Sequence, residues 1–166
     1  MHKFNIILIL GVFACNQSNK TEPLSHSMRV PEMAEIKLID LKNQPVNFDN
    51  YKGKTIFINF WATWCKPCIE EMASIEKTKI LMNDNRIIFF MASSEGIEEI
   101  KEFSQSHNYK FNYVHLENGE ALNIQALPTT FIINPKGRIV FSEMGSRNWD
   151  DTSNINLIKN ITTQHD

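Results

Sequence analysis

The stretch Trp61-Ala62-Thr63-Trp64-Cys65-Lys66-Pro67-Cys68 lies between an apolar run, Thr55 to Phe60, and a run of helical character that begins at Pro67. Two cysteines three positions apart face roughly the same side of a helix's first turn. That separation is within disulfide reach. Cys65 is expected at the helix start, where unpaired N–H groups and the positive end of the dipole favour a thiolate. Lys66 adds a neighbouring positive charge. Pro67 suits the first turn, because its missing N–H has no helical partner there in any case. The chemistry implied is thiol–disulfide exchange: a low-pKa Cys65 attacks a partner disulfide, and Cys68 resolves the mixed disulfide.

Half of a structural zinc site also uses two cysteines at this spacing. Zinc needs two further ligands, and the sequence holds no second cysteine pair. His107 and His115 are the other ligands worth naming, and their spacing fits no zinc pattern. The strand-to-helix context favours redox chemistry. No cofactor is called for, since the cysteine pair carries the electrons itself.

With these residues in view, Asn59 to Cys68 resembles the active-site signature of thioredoxin-like proteins, in particular the envelope-anchored TlpA/ResA branch of thiol–disulfide oxidoreductases. The similarity continues through Leu127-Pro128-Thr129-Thr130-Phe131 to Val140 and loosely covers residues 33 to 145. It implies an α/β thioredoxin-like fold: a central mixed β-sheet flanked by helices, with an N-terminal β-hairpin and a central insertion at Ile87–His115. It implies that the Leu127–Pro128 bond is cis, against a base rate of about 5–6% for X–Pro bonds, and that Pro128 packs beside the cysteines. Leu127 is then expected to offer its backbone to an extended substrate segment. Trp64, Lys66 and Pro67 complete the expected substrate-binding surface.

The resemblance also singles out a glutamate after the second cysteine. At about 100° per residue, Glu71 lies some 60° from Cys68 around the helix and Glu70 about 160° away. Only Glu71 is expected on the active-site side, where the family implicates such a residue in proton handling. Two departures stand out. Ala73 replaces a usual proline, which puts a helix kink there in question. Asn59 stands where thioredoxin itself has a buried Asp; Asn cannot carry a proton in the same way, which shifts the expected proton handling to Glu71.

A chain of 166 residues with 42% hydrophobic content suits one domain with a real core. The formal net charge is −2, with Lys and Arg scattered, so no nucleic-acid footprint or polybasic membrane patch is visible. The start of the sequence reads differently. Lys3 is followed by an apolar run from Phe4 to Ala14, too short for a spanning helix of about 20 residues and suited to a secretion signal. Val12-Phe13-Ala14-Cys15 resembles a bacterial lipobox, in which Cys15 is lipidated and becomes the first mature residue. The expected organisation is a lipoprotein signal peptide at 1–14, a lipidated Cys15 with a flexible tether to residue 31, and the thioredoxin-like domain at 32–166.

Further along, Val46 to Phe48 is expected as the return strand of the N-terminal hairpin. Ser93-Ser94 is expected to cap the helix that carries Ile97, Ile100 and Phe103 on one face. Glu117 to Ile124 reads as a short helix, and Asp151 onward as a last helix.

The reading that these features support is a lipid-anchored bacterial envelope protein, on the periplasmic side if there are two membranes. It reduces disulfides in protein substrates, apocytochrome c being one family example, and draws electrons from a membrane thiol relay. The Lys66-Pro67 pair between the cysteines resembles thioredoxin more than the oxidising periplasmic enzymes. The alternatives are a peroxiredoxin-type thiol peroxidase and a non-enzymatic metal- or haem-handling module. Peroxiredoxins need Pro and Thr or Ser where Ile58 and Ala62 stand, and the copper-delivery relatives use a wider cysteine spacing. If Cys15 carries lipid, Cys15→Ser releases the protein to the soluble envelope fraction or leaves it unprocessed. Unchanged membrane fractionation would count against the anchor.

Overall fold

The computed structural model describes residues 31–163. Its centre is strand β2, Thr55–Phe60, in which all six residues are buried. Such a strand needs partners on both edges and cover on both faces, and its nearly continuous apolar run supplies the surface for that cover. On one edge it pairs in parallel with β3, Ile87–Ser93. On the other it pairs antiparallel with β5, Thr129–Ile133. With β1 (Leu38–Asp40), β4 (Asn112–Leu116) and β6 (Ile139–Met144), the six strands run in the order β1-β4-β3-β2-β5-β6.

Parallel neighbours require crossovers. Helix α1, Lys66–Met82, joins β2 to β3, and α2, Ile97–Ser106, joins β3 to β4. Both steps run in one direction across the sheet, so right-handed connections put both helices on the same face. The apolar cluster there contains Met72 and Ile75 of α1, Ile100 and Phe103 of α2, and Ile158 and Ile161 of the last helix, α3 (Thr152–Thr163). They pack on Phe57, Phe89, Met91 and Ile132 of the sheet. The opposite face buries Ile56, Ile58, Phe60, Phe90 and Phe131 under Ile36, Leu122 and the partly buried Phe48 and Tyr51. The mixed sheet with flanking helices is the expected fold class.

Several local expectations need correcting. The N-terminal hairpin is present but short: Asp40 N–H donates to Gln44 O at 2.8 Å and Val46 N–H to Leu38 O at 2.8 Å. The return limb therefore ends at Val46, because Asn47 accepts from the Asp49 N–H and starts a 3-10 turn over Phe48–Tyr51. Ser93 and Ser94 do not cap α2. Ser93 ends β3, its hydroxyl donates to Glu95 at 3.0 Å, and Gly96 is the N-cap. The helix expected at Glu117–Ile124 contracts to a 3-10 turn, Gly119–Leu122, closed by Asn123 in the left-handed region. At Ala73, α1 continues without interruption, since alanine keeps the N–H and lacks the ring that a proline would drive into the preceding turn. The signal peptide, Cys15 and the tether, apart from Pro31, lie outside the described residues. Among the described residues, no helix is long and apolar enough to cross a membrane.

Ile58 is fully buried on β2, opposite Phe90 on one side and Phe131 on the other. Ile58→Ala should cost about 2–5 kcal/mol, seen as a lowered denaturant midpoint. Val140→Ala on the half-exposed strand β6 should stay within about 0.5 kcal/mol. Equal costs would contradict the placement of the core.

Candidate active site at the cysteine pair

The loop that carries the cysteines begins where β2 runs out of partners. Trp61 N–H still donates to Ala92 O at 3.0 Å, and the chain then turns, with Cys65 N–H donating to Ala62 O at 3.0 Å. Between them, Glu95 grips the loop. Its carboxylate accepts from the Thr63 N–H at 2.7 Å and the Thr63 hydroxyl at 2.6 Å. The two tryptophans divide. Trp61 is buried against Phe103 and Tyr113, with ring centroids at 4.5 and 5.8 Å. Trp64 is 74% exposed.

Cys65 is the N-cap of α1 and Cys68 lies in its first turn, with Pro67 between them. The two are joined as a disulfide with Cα atoms 5.3 Å apart. Cys65 keeps 5% of its surface accessible and Cys68 none. Lys66 reaches away from the loop to Glu70, at 3.6 Å, and both side chains are largely exposed. The Leu127–Pro128 bond is cis. Thr129 pairs with Phe60, so Pro128 arrives at the same end of the sheet as the cysteine loop, and it is buried there. Its carbonyl accepts from the Gly145 N–H at 2.8 Å. Half-buried Leu127 lines a cleft of about 630 Å³ with Phe60, Trp61, His115, Glu117 and Ile124.

One turn beyond Cys68, Glu71 is 3% exposed, whereas Glu70 faces solvent, as helix geometry required. Around Glu71 the structure assembles residues from β2, β5 and the segment that follows β6. Asn59 Nδ2 donates to its Oε2 at 3.4 Å and to Thr130 Oγ1 at 3.0 Å. Arg147 N–H donates to Oε1 at 3.3 Å, and the Trp149 indole N–H donates to the same oxygen. Asn at position 59 can give this N–H, which a carboxylate there could not. Burial pushes the Glu71 carboxyl up from 4.5 to about 7. The bonds from Trp149, Arg147 N–H and Asn59, with the Arg147 charge, hold the rise back. No hydrogen bond joins Glu71 to either sulfur among the described residues.

The structure thus brings Cys65, Cys68, Leu127 and Pro128 to one end of the sheet, with Glu71 a turn deeper, and leaves Trp64, Lys66 and Pro67 on the outer surface. Arg147, Trp149 and Glu95 were missed from the sequence. A lone Trp in the polar run Arg147-Asn148-Trp149-Asp150 shows no periodicity that would mark it as buried. Thr63 and Glu95 are 32 residues apart, beyond any local pattern.

A mixed sheet with a cysteine pair opening a helix and a cis-proline at the same end defines a thioredoxin-like dithiol protein. The chain belongs to the Redoxin family, whose model matches residues 26–158. It is 26% identical over 150 residues to the thioredoxin-like protein YneN of Bacillus subtilis, covering 85% of this chain and 86% of that one. It is 31% identical over 107 residues to the thiol-disulfide oxidoreductase ResA of the same organism, covering 62% of this chain and 60% of ResA. A putative protein disulfide isomerase from Bacteroides thetaiotaomicron superposes with a TM-score of 0.69 at 21% identity, over 82% of this chain and 91% of the other. These matches agree with the TlpA/ResA type that the signature implied.

A carboxyl whose folded pKa is raised stabilises the fold below its ordinary value, and that contribution is lost as pH rises through the folded value. Relative to Glu71→Gln, the oxidised wild type should therefore lose about 3 kcal/mol of stability between pH 4 and pH 8. Denaturant midpoints over that range measure this. A constant difference between the two proteins would show that Glu71 titrates normally.

Proposed function

We propose that this thiol–disulfide oxidoreductase works in the reducing direction on protein disulfides outside the cytoplasm. The observation that carries the reading is the cysteine pair itself: closed across the first turn of α1, its accessible member at the helix N-terminus and its inner member buried. A helix N-terminus stabilises a thiolate, so reduced Cys65 is the attacking sulfur. It bonds to one sulfur of the substrate disulfide, and the other leaves as a thiolate that takes up a proton. Cys68 then loses its proton and attacks Cys65 Sγ, which breaks the mixed disulfide and releases the second substrate thiol. Two electrons pass to the substrate, and the Cys65–Cys68 disulfide reforms.

Glu71 is the group that takes the Cys68 proton and later returns it. Its place one turn below Cys68 and its raised pKa support this. The substrate chain lies beside Trp64, Lys66 and Pro67 and pairs with the Leu127 backbone. The Leu127 N–H and C=O suit this because no backbone hydrogen bond occupies them among the described residues. Regenerating the dithiol in an oxidising compartment requires a membrane thiol relay. Lipid on Cys15 would hold the domain at the envelope surface facing that relay. Disulfide-containing proteins are the substrate class, apocytochrome c cysteines among the candidates.

Cys68→Ser should hold a substrate as a mixed disulfide that mass spectrometry identifies, and Cys65→Ser should capture none. In the reduced wild type, alkylation at mildly acidic pH should label Cys65 first. Labelling of Cys68 first would sink the assignment of roles.

A further inference from the structure

The segment between β6 and α3 converges on the Glu71 carboxyl, and it is fixed in place from several sides. The Arg147 guanidinium donates to both oxygens of Glu143, at 3.1 and 2.5 Å, and to Asn154 Oδ1 of α3 at 2.7 Å. Asn154 Nδ2 returns to Asn148 O at 2.7 Å. Trp149 N–H donates to Ser74 Oγ at 3.0 Å, and that hydroxyl donates to Glu71 O at 2.8 Å. Lys77 and Asp150 add a surface ion pair at 3.2 Å. The Trp149 ring is 1% exposed, edge-on to Phe57 at 4.7 Å and Phe141 at 5.8 Å, with the Arg147 guanidinium over it at 5.6 Å. A phenylalanine could fill much of that space. What it could not supply is the indole N–H, whose acceptor is Glu71 Oε1.

We propose that Trp149 is a positioning residue for dithiol exchange: its indole N–H, with the Arg147 N–H, fixes the Glu71 carboxyl and favours its charged form, so that this segment governs when Glu71 gives up its proton. The proposal rests on the reading of Glu71 given above. Each donor stabilises the carboxylate and does nothing comparable for the neutral acid. Among the described residues, the other groups around Glu71 are few. Asn59 from β2 is neutral, as are Thr130 of β5, which it also bonds, and Ser74 of α1, which bonds the Glu71 backbone carbonyl. Arg147 is the nearby cation and is shared with Glu143, while a reduced, ionised cysteine pair would add a like charge. Burial pushes the Glu71 carboxyl toward its neutral form. The clamp brings it back to where a proton can leave and return.

Trp149→Phe keeps a ring against Phe57 and Phe141 and removes the N–H. The carboxyl-carbon NMR titration of Glu71 should then move up by about one to two pH units. The limb of the exchange-rate pH profile that Glu71→Gln abolishes should move with it. Adding Trp149→Phe to Glu71→Gln should leave the profile of the single Glu71→Gln variant unchanged. If phenylalanine leaves the fold unstable, 3-benzothienylalanine placed at position 149 preserves the ring shape without the N–H and carries the same expectation. An unmoved Glu71 titration overturns the clamp, as does a profile shift that persists in the Glu71→Gln background. If Glu71→Gln leaves the exchange profile unaltered, the proton role of Glu71 fails and the positioning role falls with it. A profile that depends on Glu71 but not on Trp149 overturns the clamp alone.

Discussion

Strand β2 is closed on both edges and both faces, and the chemistry hangs from the point where that closure stops. Its backbone groups are taken by β3 and β5 through Phe60, with one more bond at Trp61. Beyond that point the loop cannot be held by the sheet. It is held instead by a buried tryptophan on one side and by the Glu95 carboxylate on the other. Accepting both the backbone and hydroxyl hydrogens of Thr63 makes these charge-assisted bonds, which are shorter and stronger than neutral ones. The cysteine pair therefore starts from a fixed place although it sits on a connection rather than a strand.

The same register organises the polar layer beneath it. Asn59, Thr130 and Glu143 lie level with one another across β2, β5 and β6. Asn59 reaches Glu71, and Glu143 anchors the arginine whose own N–H reaches the same carboxyl. A buried ionisable group with this many partners is costly to leave unsatisfied. That cost ties the C-terminal segment to α1, so the end of the domain is built into the site and does more than cover the sheet.

How much of this the sequence disclosed follows from the range of each signal. β2, α1 and the cysteine pair were legible because their patterns are local: an apolar run, a proline in a first turn, two cysteines three apart. Glu71 could be separated from Glu70 by helix geometry alone. The cis bond at Pro128 came from resemblance, since nothing in the residues around it overrides the trans base rate. The capping serines failed because Glu95 competes for the Ser93 hydroxyl, and that competition exists only once the loop folds over β3. The Val46–Phe48 strand failed for a nearer reason: the Asn47 side chain offers the backbone a turn instead. Arg147 and Trp149 were invisible because the carboxyl they share, that of Glu71, lies on another element 76 and 78 residues away.

Lys66 is next to Cys65 in sequence, yet its charge is a weak source of activation for that sulfur. An exposed ammonium facing Glu70 at 3.6 Å is screened by water and partly neutralised. The helix end is the more direct source. Cys65 occupies the N-cap without a side-chain hydrogen bond, its sulfur being engaged with Cys68. An N-cap side chain normally accepts from the second or third helical N–H. Here the second position is Pro67, which has none, so the available donor is the Cys68 N–H. In the role proposed for reduced Cys65, that N–H is the backbone donor its sulfur would meet at the cap. The cap position, more than the Lys66 charge, is therefore the feature on which the proposed attack by Cys65 rests.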